Sequence, residues 1–141
     1  MIAIGSDHGG FDLKEAVKAH LTGQGYEVKD FGCYSHDSVD YPVYGKAVGN
    51  AVAGGECEKG IVICTTGIGI SMAANKIKGV RCALCSEAYS ARLTRLHNDA
   101  NVLAMGGGMV GPLLAMEIVD TFLNTEFSGE ERHLRRVGMI E

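Results

Sequence analysis

No apolar stretch in the 141 residues approaches the roughly 20 that a membrane-spanning helix requires, so the sequence offers no membrane span. Positive charge is not in excess either. A net charge of −4 leaves no general attraction to nucleic acid. The five cysteines are odd in number and dispersed, and nothing resembling a signal peptide precedes the strand-like Met1-Ile2-Ala3-Ile4. A reduced, cytoplasmic protein with free thiols is expected. Cys82-Ala83-Leu84-Cys85 has the spacing of a metal-ligand pair, but no second pair accompanies it. In a strand, residues three apart also point to opposite faces, so no metal site is expected. Internal repeats, low-complexity segments and linkers are missing as well. The length fits one domain, residues 1–141, able to bury about two thirds of its unfolded surface.

What is present is a regular alternation. Apolar strand-like runs recur at Ile2–Gly5, Glu27–Phe31, Gly60–Thr65, Val80–Cys85 and Asn101–Gly106. Helical stripes lie between them: Leu13, Val17 and Leu21 in one, Tyr89, Leu93 and Leu96 in another. Units of about 25 to 30 residues, each a strand followed by a helix, predict an α/β, three-layer Rossmann-like fold: a five-stranded parallel sheet with helices on both faces. Right-handed crossovers put every strand's C-terminal end on one edge, which is the edge that carries ligands. Polar clusters are expected to converge there: Ser6-Asp7-His8-Gly9-Gly10, the loop with His36, Asp37, Asp40, Tyr41 and Pro42, Cys64-Thr65-Thr66-Gly67, and His97-Asn98-Asp99. Each also has a plainer explanation, with Asp7 as a helix cap and His97 and Asn98 closing a helix C-terminus. Gly106-Gly107-Gly108 is expected to be the most flexible stretch, with Pro112 in the first turn of a following helix.

The segment Ile61-Val62-Ile63-Cys64-Thr65-Thr66-Gly67-Ile68-Gly69-Ile70-Ser71 is the most informative. It places a thiol at the end of a buried strand and opens a helix on glycines, with Met72, Ala73, Ala74 and Lys76 continuing that helix. Free backbone N–H groups at a helix start favour thiolate and bind anions. A dinucleotide fingerprint would need a third glycine where Met72 stands, and a P-loop would need Gly-Lys-Ser/Thr. A cysteine phosphatase would need arginine at position 70, which is Ile70. The plain alternative is a small buried cysteine ending a core strand. Near the C-terminus, Arg132 and Arg136 would share one face of a helix, as a phosphate site or as a solvated basic end.

Taken together, six motifs resemble the type B ribose-5-phosphate isomerases, within the wider family of ribose, allose and galactose phosphate isomerases. The motifs are Gly5-Ser6-Asp7-His8-Gly9-Gly10, Asp40-Tyr41-Pro42, Cys64 through Ser71, Ala73-Ala74-Asn75-Lys76, His97-Asn98-Asp99-Ala100-Asn101 and Arg132-His133-Leu134-Arg135-Arg136-Val137. The resemblance covers essentially the whole chain. It implies cofactor-independent aldose–ketose isomerisation of a sugar phosphate through an enediolate. It assigns Cys64 as the base between carbons 1 and 2, and His97 to ring opening with Asp7 beside it; Thr66 joins this catalytic set. Asn98 and the amides of Thr65, Thr66, Gly67, Ile68 and Gly69 are implied as sugar and oxyanion contacts. His8, Arg132 and Arg136 are implied as the phosphate clamp, and Tyr41 as a residue lining the site. Two positions depart from the family pattern: Thr65 stands where glycine is usual, and Gly108 where many members have arginine. The resemblance further implies a homodimer, or a dimer of dimers, with His97 and Asn98 reaching the partner's site. A six-carbon sugar phosphate, or phosphosugar binding without turnover, are the alternative readings.

Overall fold

In the computed structural model, which describes residues 1–141, five parallel strands alternate with six helices. The strands are β1 (Ile2–Ser6), β2 (Val28–Asp30), β3 (Lys59–Cys64), β4 (Cys82–Leu84) and β5 (Val102–Gly106). The helices are α1 (Phe11–Gly23), α2 (Tyr41–Ala53), α3 (Ile68–Ala74), α4 (Ala88–Asn98), α5 (Pro112–Asn124) and α6 (Glu131–Ile140). The sheet runs in the order β2-β1-β3-β5-β4. The strand order reverses between β1 and β3, and a crevice opens at such a point beyond the strands' C-terminal ends. Ser6 and Ile63 are in register there, so the segments entering Asp7 and Cys64 lie side by side.

The central strands β1, β3 and β5 bury both faces, which is why these stretches read as continuous apolar runs rather than alternating ones. On one face Ile4, Val17, Leu21, Ile61, Ile63, Leu103, Met105, Ile118 and Phe122 pack as one cluster. On the other, Ala3, Val48, Val62, Cys64, Ile70, Val102 and Ala104 pack with α2 and α3. Alternation along β3 thus sends the Cys64 side chain toward α3. The edge strands β2 and β4 are shorter than their sequence patterns suggest, since each has one neighbour only. Helix α3 opens at the glycines, as expected, but stops before Lys76. Beyond its end, the Asn75 side chain takes the part of a neighbouring strand, accepting from the Cys82 N–H at 2.8 Å and donating to the Cys82 carbonyl at 3.0 Å. Burial pushes the Cys85 thiol up to about 11 and the Cys82 thiol higher still. None of the helices is long and apolar enough to cross a membrane.

One ion pair is sunk into this frame. The Lys14 side chain is completely buried and donates to Asp30 at 2.6 Å, with Lys18 reaching the same oxygen at 3.0 Å. The other Asp30 oxygen accepts from the Gly32 N–H at 2.8 Å. Gly32 in turn accepts from the Ser6 N–H, and the Cys33 N–H donates to the Ser6 carbonyl. The pair therefore anchors the loop that borders Asp7. Burial alone would raise the Asp30 carboxyl, but the hydrogen bonds from Lys14, Gly32 and Lys18 hold it below its ordinary value. Such a group stabilises the fold above its unfolded-state value and loses that contribution as pH falls through the lower, folded-state one. Lys14→Met should leave Asp30 buried without its main partner and cost about 3–5 kcal/mol in urea unfolding at pH 7. The gap between variant and parent should narrow below about pH 4, near the ordinary aspartate value. A constant gap across that range would show that packing of the lysine stem, not the ion pair, is what matters.

Candidate active site

Three loops meet around Cys64. The thiol is 5% exposed, and its sulfur accepts from the Gly67 N–H at 3.2 Å. That donor is aimed correctly only because Gly67 has φ +79°; a side chain there would also come within 2.7 Å of the Met105 backbone. A hydrogen bond of this kind strengthens when the acceptor carries negative charge. Thr66 caps the turn, its hydroxyl accepting from the Ile68 N–H at 3.2 Å. Thr65 and Thr66 are exposed, so the backbone between Thr65 and Gly69 faces the opening. Tyr41, at the start of α2, packs against Gly69; a Cβ on Gly69 would stand 2.7 Å from its ring. A cavity of about 230 Å³ runs beside them, bounded by Tyr41, Lys46, Gly69 and Met72.

The loop after β1 closes the other side. Asp7 is 6% exposed and accepts from the Gly9 and Gly10 N–H groups at 2.9 and 3.1 Å, so the plainer reading of this residue as a cap describes what one of its oxygens does. His8 accepts from the Val39 N–H through Nδ1 at 3.1 Å. A neutral His8 therefore carries its proton on Nε2, where it can donate to an anion.

Gly106-Gly107-Gly108 is not a flexible stretch. The Gly107 N–H donates to the Cys64 carbonyl at 2.8 Å and the Gly108 N–H to the Thr65 carbonyl at 2.9 Å. A Cβ on Gly106 would stand 2.6 Å from the Thr66 carbonyl oxygen, and one on Gly107 2.8 Å from that of Gly9. These glycines are required by close backbone approach, which the sequence alone does not distinguish from mobility. The two departures from the family pattern also touch each other. The Thr65 hydroxyl sits over Gly9, and its methyl lies 3.0 Å from where a Gly108 side chain would begin.

His97, Asn98, Arg132 and Arg136 do not join this group. Helix α4 runs antiparallel to the strands, so its C-terminal residues return to the edge where β5 begins. There the Asn98 carbonyl accepts from Arg81, whose own carbonyl accepts from Asn101 and Val102. Cys64 pairs with Gly106 at the far end of the same strand. The five residues of β5, at ~3.3 Å each, put roughly 15 Å between the two groups. The expectation that His97 and Asn98 share the strands' C-terminal edge within one chain is thus overturned by the direction of α4. Helix α6 packs on that end of α4. Its exposed Arg132 pairs with Glu130 at 3.1 Å, and Arg136 is also exposed. A cavity of about 610 Å³ opens nearby, bounded by Lys78, Arg81, Asn98 and Glu141. His133, buried against His97, was given no role from sequence although it lies inside the Arg132–Val137 motif.

The Ribose/Galactose Isomerase family profile matches residues 2–140. The chain belongs to this family. Ribose-5-phosphate isomerase B of Escherichia coli is 53% identical over 139 residues, covering 99% of this chain and 93% of the relative. The solved structure of ribose-5-phosphate isomerase B from Clostridium thermocellum superposes with a TM-score of 0.97 at 56% identity, covering 99% and 93% of the two chains. A galactose-6-phosphate isomerase subunit of Clostridium acetobutylicum is 40% identical over 127 residues, 90% of this chain and 73% of that one.

The contact between Thr65 and Gly108 has a measurable consequence. Gly108→Arg alone should destabilise the protein by the ~1–3 kcal/mol of an overpacked contact. In a Thr65→Gly background the loss should shrink by at least ~0.5 kcal/mol, read from urea unfolding of the four proteins of the cycle. Identical losses in both backgrounds would mean that Thr65 is not the obstacle.

Proposed function

We propose that this chain is an aldose–ketose isomerase interconverting ribose 5-phosphate and ribulose 5-phosphate, and that each site is completed by a second copy of the chain. The observation that carries the reading is the division of one chemical set between two ends of the sheet, in a member of a sugar-phosphate isomerase family. Cys64, Asp7, His8 and the Thr65–Gly69 amides stand at one end; His97, Asn98, Arg132 and Arg136 stand at the other. A pentose phosphate is too short to span the roughly 15 Å between them within one chain. A two-fold interface would present one copy's first group to the other's second. The exposed Ile68 and Met72 at the rim of the thiol loop supply apolar surface for such a contact.

In this reading Arg132, Arg136 and the His8 Nε2–H hold the phosphate dianion through charge-assisted hydrogen bonds. His97 takes the proton of the anomeric hydroxyl as the bond from C1 to the ring oxygen breaks, and returns it to that oxygen, leaving an open-chain aldehyde. The Cys64 thiolate then removes the proton on C2, and the electron pair moves onto the carbonyl oxygen to form the enediolate. The amides of the Thr65–Gly69 loop, with Thr66 beside them, stabilise that charge. Passage of the O2 hydroxyl proton to O1, and return of the carbon-bound proton from Cys64 to C1 as the O2 electron pair forms the C2 carbonyl, complete the ketose. Carbons 1 and 2 exchange oxidation state within one molecule, so the reaction consumes no redox cofactor. All five cysteines are free, in keeping with a reducing, cytoplasmic setting.

The six-carbon alternative draws on the room left by Gly108, but the Thr65 methyl, 3.0 Å from where a Gly108 side chain would begin, takes part of that room. A pentose phosphate is therefore favoured, and a higher kcat/KM on ribose 5-phosphate than on allose 6-phosphate is expected. Cys64→Ala should lower kcat by roughly 10²–10⁴ with little change in KM, as for loss of a positioned acid–base group. Near-normal turnover would remove Cys64 from the mechanism. Mixing inactive Cys64→Ala with inactive His97→Asn and allowing subunits to exchange should restore about a quarter of parental activity, because half the dimers are mixed and each has one intact site. No recovery after verified exchange would place both groups in one chain's site.

A further inference from the structure

The His97 imidazole is not free-standing. His133 lies parallel to it, ring centroids 4.5 Å apart and planes 18° from parallel, and is itself only 7% exposed. Two imidazoles this close cannot both become cations without strong repulsion, so the pair gains its two protons in separate steps. The surroundings of His133 decide the order. Burial is the leading influence against a proton on it; His97, facing it from α4, and Arg132 and Arg136 on its own helix act in the same sense. Glu130, at the start of α6, is the one charge pulling the other way, its carboxylate 4.0 Å from Nε2. The net result holds His133 below the usual imidazole range. Geometry agrees: the Arg132 Nε–H donates to His133 Nε2 at 3.3 Å, a contact that needs that nitrogen bare.

We propose that His133 is a positioning residue for His97: a neutral, stacked ring that fixes the plane of the His97 imidazole and leaves His97 as the member of the pair that takes up a proton. The inference rests on the assignment of ring opening to His97. It extends that assignment by explaining why a residue at the exposed end of a helix can keep one orientation. When His97 accepts the anomeric proton, the new cation sits against the π face of a neutral ring, which favours it, rather than beside a second cation.

The decisive measurement uses the unaltered protein. Histidine carbon–proton NMR across a pH titration should show His97 protonating first and His133 only in more acid solution. The reverse order would overturn the proposal, whatever the activity. Transient kinetics of ring opening with ribose 5-phosphate then test the stack. His133→Phe, which keeps a flat neutral ring, should stay within about 3-fold of the parent rate, whereas His133→Gln should slow this phase roughly 10- to 100-fold, the scale of a misplaced reacting group. His133→Lys should slow it further and move the His97 titration to lower pH. Equal rates for parent and His133→Gln would overturn the positioning role. His97→Asn run alongside separates the two claims: if it leaves ring opening unchanged, the reading of His97 fails, while the NMR order still judges the pair.

Discussion

The site depends on how closely three stretches of backbone approach one another around Cys64. The carbonyl of Cys64 is held by Gly107, that of Thr65 by Gly108, and the thiol by the N–H of Gly67. A Cβ on Gly10 would fall 2.4 Å from the Ile63 carbonyl oxygen, so the loop after β1 is pressed against β3 in the same way. Side chains at these points would push the loops apart and turn the Gly67 donor away from sulfur. Gly67 contributes its left-handed backbone; at the other positions what the site uses is glycine's lack of bulk.

The parallel sheet imposes the second constraint. Strand C-termini share one edge, so loops leaving β1 and β3 meet without further arrangement. Helices that return between strands carry their own C-terminal residues to the opposite edge. His97 and Asn98 end such a helix, and no adjustment of loops within one chain brings them back. The arginines of α6 follow α4 and share its position. In the proposed reading a single chain thus presents the two groups at opposite ends, and a symmetric pair is what would unite them.

Buried polar groups tie these parts to the frame. Lys14 and Asp30 anchor the loop that hydrogen-bonds Ser6, directly before Asp7. Arg95 plays a matching part under the other end: it is 6% exposed and donates to the carbonyls of Ala100 and Thr125 and to Asp99. Asp99 itself sits at φ 47°, closing α4 just past His97 and Asn98. Each group is compensated by several hydrogen bonds, the condition under which a buried charge can be tolerated.

Sequence by itself determined the fold class, because five apolar runs separated by amphipathic stretches admit few arrangements other than a parallel sheet clad in helices. It also singled out residues to which the proposed function gives chemistry: Cys64 at a strand end before glycines, His8 and Asp7 after β1, and Arg132 with Arg136 one helical turn apart all stand out as patterns of local spacing. Tertiary structure decided what local spacing cannot express. The direction of α4 relative to the sheet removed His97 from the edge where its polarity suggested it belonged. Close packing, invisible in a single strand of letters, turned Gly106–Gly108 from a flexible stretch into a pinned one and joined Thr65 to Gly108 across 43 positions. The stacking of His133 on His97 was likewise unreadable, since its two members lie on different helices. In each case the missing information is a distance between residues far apart in the chain, and such distances are set by the packing of whole elements rather than by the preferences of the residues within them.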